Sequence, residues 1–550
     1  MSILFIALAV IVIFLLTYRF YGRFLRQSFG LDDSKTTPAC LINDGLDFVP
    51  TPPAFLLPQH FSAIAAAGPI VGPILAGLWF GWLPALIWIV IGNIFIGAAH
   101  DFSTLAASMR HGAQSIAEVI KASIGKRGSL LFLLFVWISL MYVIVAFTDL
   151  TASTFIAENY GGGVAASSIL YLVLAVLIGV LMRRVTIPTW LLAAISIPLI
   201  MLIIWGGQKI PISVPPIYSL SSAKVWGILI LCYCFFASIL PLSILMQPRG
   251  FLGGYFLYGT LVVGVVGLFF GGYHAQYPAF IGFTNPKGAS LFPILFITVA
   301  CGACSGFHGL VCGGTTAKQI EKEGDTHAVG YGGMLLEGLV AVTALATVMM
   351  FAKGDPALGK GPTEIYAQGL AQFASTLGVP TSIAMSFGLL AFATFVYDTL
   401  DVATRLARYI FQELTGWQGK WGRMGATLAT LIVPLFFLIT TKETAYLKFW
   451  PIFGASNQLL AALSLLGISV WLIKTGKNPW YTLIPMLFLL VITFWALILF
   501  IIPWGVNQTP DVNGAVAIIL IVIALSLFFE AYQSVRRYKN ATLEEVHPNQ

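Results

Sequence analysis

The segment from Pro58 to Pro84, PQHFSAIAAAGPIVGPILAGLWFGWLP, is apolar enough to lie in a bilayer but contains two Gly-Pro pairs. Proline removes a backbone hydrogen-bond donor and clashes with the preceding helical turn. Because hydrocarbon offers no water to replace the lost bond, such an interruption persists only inside protein or beside a wet cavity. The segment therefore predicts a discontinuous spanning helix with a polar site at membrane depth, which His60 and Ser62 would line.

A second segment of the same character, CGACSGFHGLVCGGTT, runs from Cys301 to Thr316. It also carries a serine and a histidine, Ser305 and His308, beside glycines. Two interrupted, polar, glycine-rich spans in one chain are the best sequence pointer to the binding site of a transporter. We expect Ser305 and His308 to face the first interruption.

The composition is that of an integral membrane protein with one domain, residues 1–550. The chain is 58% hydrophobic and 9% charged, whereas soluble domains average about 25% charged residues. The net charge of +7 does not indicate nucleic acid, since the basic residues lie in short loops beside apolar spans. Five of the six cysteines lie in apolar spans, which gives no disulfide framework. No basic region precedes the first apolar run, so we expect a retained span there rather than a cleaved signal peptide.

Hydropathy predicts an all-α polytopic protein with about fifteen spans (14–18) of the length that a hydrocarbon core requires. The predicted spans are 2–18, 58–80, 84–108, 129–149, 164–182, 189–206, 224–246, 253–271, 290–312, 328–352, 380–404, 424–441, 453–473, 481–503 and 514–533.

The distribution of basic residues predicts the orientation. With the N-terminus outside, 22 of the 29 Lys and Arg residues fall in the alternate loops that would be cytoplasmic, as the positive-inside rule requires. The C-terminus is then cytoplasmic. The first interrupted span runs outward and the second runs inward, which is the relation that inverted repeats produce.

Several motifs resemble the carbon starvation protein A family. They cover residues 50–465 in the expected order: HFSAIAAAGPIVGP (60–73), IGAAHDFSTLAASMRHGAQSIAEV (96–119), CSGFHGL (304–310), TLDVATRLARY (399–409) and WPIFGASNQLLAA (450–462). Two places depart from the family pattern as we know it: Gln59 precedes His60 where the family often has two histidines, and GLVCGGTTAKQ follows His308.

The resemblance implies a bacterial or archaeal inner-membrane carrier linked to peptide or pyruvate uptake and to nutrient starvation. It also implies a LeuT-like core, an inverted repeat of five plus five helices with two discontinuous helices. The core would span about residues 50–465, followed by extra helices at about 466–535 and a short cytoplasmic tail, 536–550.

We predict a substrate site between the two interruptions. Its candidate residues are His60, Ser62, Gly68, Gly72, Ser305 and His308, because imidazoles and unpaired amides beside a helix break can bind a carboxylate. Zinc binding by the nearby cysteines is disfavoured, because Cys301 and Cys312 would lie about 16 Å apart along a continuous helix. We predict no metal and no cofactor other than a coupling ion, H+ or Na+.

The eleventh span ends in FATFVYDTLDVATRLARY, where Asp398 and Asp401 share a helix face. Arg405 lies four residues beyond Asp401 and could neutralise it, which would leave Asp398 unpaired and suited to a proton or a cation. Thr399 and Thr404 add hydroxyl groups to this candidate coupling site. The alternative is a structural charge cluster at the cytoplasmic interface that locks the helix to the loop. We expect the neighbouring Arg408 to reach the lipid headgroups.

Three further groups of residues are candidates for roles in coupling or gating. Glu337, with apolar neighbours in its span, is a second candidate proton carrier. His100 and Asp101 form either a gate or proton exit, with Arg405, or an interfacial helix end at which Asp101 pairs with Arg110. Asp149, Asn93 and Asn457 are weaker candidates, since spanning helices use such groups for packing.

The predicted function is cation symport of a small molecule, a short peptide or a pyruvate-like carboxylate, across the plasma membrane. The chain has no phosphate-binding loop of an ATPase and no HExxH motif of a metalloprotease, so we expect a carrier and not an enzyme. A channel or an intramembrane enzyme remains the alternative. The choice of substrate, the choice between H+ and Na+ and the oligomeric state stay open.

Overall fold

A computed structural model describes the chain except for residues 46, 66, 183, 186–187, 242–243, 287, 442–443, 508–510 and 547–550. The basic residues Arg183, Lys287 and Lys442, which the loop count includes, lie outside the described residues.

The described part contains no strands, only isolated bridges. Its α-helices are α1 Ile3–Thr17, α2 Arg23–Ser28, α3 Pro38–Ile42, α4 Pro53–Ile64, α5 Gly68–Phe80, α6 Trp82–Gly92, α7 Ala98–Arg110, α8 Ile116–Ser123, α9 Lys126–Phe155, α10 Gly161–Met182, α11 Thr189–Gly207, α12 Ser222–Ile239, α13 Met246–Phe270, α14 Leu291–Thr298, α15 Ala300–Ala303, α16 Gly306–Gly314, α17 Gly332–Met349, α18 Pro362–Ser375, α19 Thr381–Thr415, α20 Gly419–Thr440, α21 Ala445–Lys474, α22 Trp480–Asn507 and α23 Val512–Val546.

The all-helical, multi-pass class is confirmed. Within the described residues, twelve helices are long and apolar enough to cross a membrane, and the bent pair of α4 and α5 would make a thirteenth. Each of the fifteen predicted segments coincides with a helix or a series of helices, but fifteen crossings stay a prediction. The buried helix α18 and the short helix α8 lie in segments that we expected to be loops.

The first interruption lies between α4 and α5, which meet at an angle of 53°. Ala65 ends α4 in an extended conformation (φ −76°, ψ 99°), and Pro69 lies in the first turn of α5. Proline is tolerated there because the first amides of a helix have no intrahelical acceptor. The break therefore occurs immediately before the first Gly-Pro pair, although Ala66 itself lies outside the described residues.

The second interruption consists of two breaks in succession. Helix α14 ends at Thr298, and Val299 leaves helical geometry (φ −97°, ψ 36°). After the single turn of α15, Cys304 (φ −166°, ψ 118°) and Ser305 (φ −118°, ψ 124°) are extended before α16 begins at Gly306. The predicted single span is therefore three short helices.

The two interrupted segments pack directly against each other. A Cβ atom at Gly68 would collide with the Cys301 side chain, and one at Gly72 would collide with the Thr298 carbonyl oxygen. From Gly68 to Gly72 along the first segment, the contacted residue changes from Cys301 to the earlier residue Thr298, so the two segments run antiparallel. This close approach requires glycine at positions 68 and 72, whereas a Cβ atom at Gly302 of the second segment would make only an ordinary contact of 3.6 Å with Pro69.

Loop contacts divide into two groups that agree with the predicted alternation of loops. In one group, Ile3 donates to the Tyr273 carbonyl at 3.0 Å, and Ile281 donates to the Phe80 carbonyl at 3.0 Å. In the other, the Arg110 guanidinium lies 2.6 Å from Glu323. The residues of the first group lie in or beside loops that are predicted to be outside. The residues of the second group lie in loops that are predicted to be cytoplasmic.

The packing predicts that Gly72→Ala destabilises the fold by about 1–3 kcal/mol, the usual cost of overpacking. The added methyl group would press on the backbone of Thr298 and on Val299 Cα, which would lie 3.2 Å away. Thermal unfolding in detergent, followed by size-exclusion chromatography, measures this. Gly206→Ala is the control, because no other part of the chain lies within 4 Å of its Cβ position. Equal melting temperatures for the two variants would contradict the prediction.

Candidate functional site

Two histidines and two carboxylates from three helices form a fully buried cluster. His100 Nδ1 lies 2.8 Å from Asp101 Oδ1 on α7, and His308 Nδ1 from α16 lies 2.8 Å from Asp101 Oδ2. On its other side, His308 Nε2 lies 3.0 Å from Glu337 Oε2 on α17, a close contact that is poorly aligned for a hydrogen bond. All four side chains are at most 1% exposed. The cluster therefore links the second interrupted segment to two other helices.

Both ring nitrogens of His308 face carboxylate oxygens, and this restricts where protons can be. A neutral imidazole donates from one nitrogen and accepts at the other, whereas an ionised carboxylate only accepts. Both contacts are favourable only if His308 is an imidazolium or if one carboxyl group is protonated. The arrangement can thus bind and pass on a proton without contact with lipid.

His60 lies one helical turn from this cluster. Its Nδ1 is 2.9 Å from the Thr316 hydroxyl, and its Nε2 has no hydrogen-bond partner among the described residues. A Cβ atom at Gly333 would lie 2.9 Å from the imidazole, and Gly333 precedes Glu337 by four residues on the same face of α17. His60 and the buried cluster therefore border the same stretch of α17.

A second charged network joins α12, α13 and α19. Arg249 on α13 contacts Asp401 through Nη1 and places Nε 3.1 Å from Asp398 Oδ1. Tyr233 accepts from Arg249 Nη1 at 2.6 Å and donates to Asp401 at 2.8 Å. If both carboxylates are ionised, one guanidinium leaves one negative charge uncompensated in a buried site.

Comparison with known proteins identifies the family. The model of the family described as "Carbon starvation protein CstA" matches residues 1–358 and 355–496. The chain belongs to the carbon starvation protein CstA family. A protein named "Peptide transporter CstA" from Helicobacter pylori is 34% identical over 90% of this chain and 82% of its own length. "Pyruvate/proton symporter BtsT" from Escherichia coli is 30% identical over 90% of this chain and 81% of its own length.

Among solved structures, a manganese transporter from Eremococcus coleocola aligns with 90% of this chain and 99% of its own, at 15% identity and a TM-score of 0.48.

The segments that resemble the CstA family supply some members of both networks, whereas Glu337, Arg249, Tyr233 and Asp398 lie outside these segments. The HFSAIAAAGPIVGP segment carries His60, IGAAHDFS carries Asp101, and CSGFHGL carries His308. TLDVATRLARY carries Asp401, and WPIFGASNQLLAA carries Asn457. The structure thus brings the first three together around α17 and places Asp401 in the second network.

Asn457 on α21 supports the second interruption. Its Oδ1 accepts from the Phe307 amide at 3.0 Å, and its Nδ2 donates to Ser305 at 3.1 Å and to Cys301 Sγ at 3.2 Å. The described hydrogen bonds of Ser305 are therefore with α21, and its expected place facing the first interruption stays a prediction. The first four amides of a helix need external acceptors, and the Asn457 carbonyl supplies one for α16.

Neighbours of Asn457 satisfy the carbonyl groups at the end of α14. Trp450 donates to the Thr298 carbonyl at 3.3 Å, and Gln458 donates to the Phe296 carbonyl at 2.8 Å. A tryptophan near the end of a span commonly belongs to an aromatic belt at the lipid interface, but Trp450 is only 2% exposed and its ring nitrogen serves the interrupted segment.

Two ion pairs that the sequence suggested are absent from the described structure. Asp101 pairs with the two histidines and not with Arg110, whose partner is Glu323 at 2.6 Å. Arg405 does not neutralise Asp401; it donates to the Ala237 carbonyl at 2.8 Å and the Leu240 carbonyl at 2.5 Å, at the end of α12. A guanidinium at this position suits the unpaired carbonyls and the negative end of the helix dipole.

The remaining polar residues around Asp401 are also buried. Arg408 is 2% exposed and donates to the Ser238 carbonyl at 2.8 Å, so the prediction that it reaches the lipid headgroups is wrong. Thr399 donates to the Phe395 carbonyl at 3.2 Å, and Thr404 is fully buried. Asp398 is not unpaired, because Arg249 lies beside it.

The other sequence-predicted residues have structural contacts. Gly68 and Gly72 are buried where the two interrupted segments touch, and Ser62 donates to the Gly250 carbonyl at 3.2 Å. Asn93 donates to the Met334 carbonyl at 2.9 Å, and Asp149 accepts from the Tyr446 amide in the first turn of α21 at 2.9 Å.

Arg249 and Tyr233 are site residues that the sequence does not indicate. Arg249 is fully buried, although its position between the predicted spans 224–246 and 253–271 places it among the basic residues of the predicted cytoplasmic loops. The one signal for it was the pair of acidic residues on α19, which require a buried cation as a partner. No group of three or more His, Cys, Asp and Glu side chains in the described residues has the geometry of a metal site.

The bonds of Asn457 predict that Asn457→Ala loosens the second interruption. Leaving the buried Phe307 amide without an acceptor costs about 1–3 kcal/mol. Hydrogen exchange followed by mass spectrometry should show faster exchange at 304–310 and little change at 481–503, which serves as the internal control. Unchanged exchange at 304–310 would show that Asn457 does not hold the break.

Proposed function

We propose that this protein is a secondary active transporter that imports a small carboxylate or a short peptide together with a cation, most simply a proton. The observation that carries the proposal is the buried cluster of His100, Asp101, His308 and Glu337. The names of the two relatives, a peptide transporter and a pyruvate/proton symporter, support this class of function.

The cluster has the properties that a coupling site requires. Ionisable groups inside a membrane are costly and mark proton relays or ion pathways. The group consists of two histidines and two carboxylates. When one proton is bound, its formal charge is minus one, and binding of a second proton brings this charge to zero. Since three helices contribute, a change in the proton count alters the attraction that holds α7, α16 and α17 together.

The position of the cluster links coupling to substrate binding. His308 belongs to α16, the last part of the second interrupted segment, and that segment packs on Gly68 and Gly72 of the first. We propose that substrate binds near the two interruptions, with His60 and Ser62 on one side and His308 on the other. Movement of one group of helices against the rest would then expose the site to alternate sides.

Asp398 and Asp401 are the second candidate coupling site, together with Thr399 and Thr404. Arg405 and the pair of His100 and Asp101 are the proposed gate residues. We also propose a plasma-membrane location, an external N-terminus, a cytoplasmic C-terminus and a role in the response to starvation. The five-plus-five repeat and the single domain of residues 1–550 stay predictions.

Purified protein in proteoliposomes tests the proposal. We expect an inward proton gradient to drive accumulation of labelled pyruvate or of a labelled dipeptide, and unlabelled substrate on the far side to accelerate exchange. Uptake that ignores the proton gradient and shows no acceleration by substrate on the far side would indicate a channel and overturn the proposal.

Glu337→Gln should abolish accumulation driven by a proton gradient while substrate exchange continues. The amide keeps the size of the side chain but cannot carry the proton that the carboxylate shares with His308. Comparing gradient-driven uptake with exchange in the same vesicles separates coupling from binding.

Glu364→Gln is the matched control for Glu337→Gln. This glutamate on α18 lies 3.5 Å from Lys360 and is partly exposed, so its variant should behave like the wild type. Full coupling in Glu337→Gln would remove Glu337 from the mechanism.

A further inference from the structure

Arg249 stands out as a buried cation that the proton cluster does not use. Resting on the proposed function, we propose that Arg249 is the anchor for the carboxylate group of the substrate. Asp398 occupies this anchor when substrate is absent, and a substrate carboxylate replaces it. Pyruvate and a peptide C-terminus share this chemical group.

The hydrogen bonds of Arg249 leave one edge of its guanidinium poorly used. Nη1 is bound by Tyr233 and Asp401. Nη2 has no hydrogen-bond partner among the described residues, and Nε is 3.1 Å from Asp398 but misaligned. Nε and Nη2 form the side-on edge that binds a carboxylate through two parallel hydrogen bonds. That edge is therefore available to a better-aligned carboxylate.

The surroundings fix the plane of the guanidinium. The Arg249 Cζ atom lies 5.1 Å from the ring centre of Tyr397 and 5.9 Å from that of Tyr233. The side chain is fully buried, and Tyr171 donates to the Arg249 backbone carbonyl at 3.0 Å. A preorganised guanidinium loses little rotational freedom when it binds a planar anion.

Asp398 is the accessible member of this network. Its side chain is 14% exposed, against 2% for Asp401. A Cβ atom at Gly253 would touch Asp398 Oδ2 and would lie 3.6 Å from the Ser62 hydroxyl, so Asp398 lies beside the first interrupted segment. A substrate beside Ser62 would therefore meet Asp398, the residue that it replaces at Arg249.

Charge balance links this exchange of carboxylates to proton uptake. Adding an anion to a network that already contains Arg249, Asp398 and Asp401 would place a second uncompensated charge in a buried site, which is costly. If Asp398 takes up a proton as substrate binds, one carboxylate replaces another and the net charge is unchanged. Binding of a carboxylate and of a proton are then linked.

The groups that face Arg249 and Asp398 leave Asp398 as the residue for this role. Asp401 stays paired with Arg249 and Tyr233, and Arg405 is held by backbone carbonyls. The phenols and the thiol that surround the network do not ionise near neutral pH in unperturbed form. These groups are Tyr171, Tyr233, Cys234 and Tyr397.

Equilibrium binding to the purified full-length protein tests the inference. The probes are pyruvate and L-alanyl-L-alanine, and their uncharged counterparts are methyl pyruvate and L-alanyl-L-alaninamide. Losing charged hydrogen bonds should weaken binding of the uncharged pair about 10- to 100-fold. Arg249→Lys keeps the charge but cannot form two parallel hydrogen bonds with a carboxylate. It should weaken binding of the acids about 10-fold or more.

Asp398→Asn gives the opposite and more specific result. Removing the internal competitor should tighten binding of the acid at alkaline pH, because the wild type must first protonate Asp398, and this gain should grow about tenfold per pH unit above the pH at which wild-type binding begins to weaken. It should also abolish the pH dependence of binding that the wild type shows. Because this variant removes a buried charge and leaves none unpaired, it remains a usable test if Arg249→Lys fails to fold.

Arg408→Lys is the matched control for Arg249→Lys, because Arg408 is also a buried arginine but donates to the Ser238 carbonyl. It should bind the acids as the wild type does. Wild-type affinity in a folded Arg249→Lys variant, or no gain in Asp398→Asn, would overturn the inference while proton-driven uptake stands. If the wild type binds neither acid, the proposed substrate class fails, and the inference fails with it.

Discussion

Backbone groups at an interrupted helix must find partners inside the protein, and the structure depends on this constraint. In hydrocarbon an unpaired amide or carbonyl costs several kcal/mol. Helix α21 supplies the partners for the second interruption: Trp450 and Gln458 donate to carbonyls before the break, and Asn457 accepts an amide after it. Without α21, these backbone groups would be left unpaired.

The buried charges follow the same rule of internal pairing. Asp101 and Glu337 flank His308, and Asp398 and Asp401 flank Arg249. In each group two carboxylates share one central cation or potential cation, so each group has room for one more positive charge. This common pattern is the physical basis for proposing proton uptake in both groups and recognition of a substrate carboxylate at Arg249.

The sequence predicted the elements well and the pairings poorly. Gly-Pro pairs and an excess of apolar residues act locally, so the spans and both interruptions could be found from the chain alone. The partner of Glu337 could not, because His308 is 29 residues away in sequence and reaches it only through the fold. Asp401 was assigned to Arg405 because the two lie four residues apart on one helix, yet Arg249, from another helix, is its partner.

The attachment of α21 to the second interruption decides which parts of the molecule can move relative to each other. Straightening or sliding that segment would break the bonds of Trp450, Asn457 and Gln458 together. Helix α21 and the pieces α14 to α16 should therefore travel as one rigid body. This body would then slide along α5 at the contact lined by Gly68 and Gly72. The contacts described for that surface are close packing without side-chain hydrogen bonds.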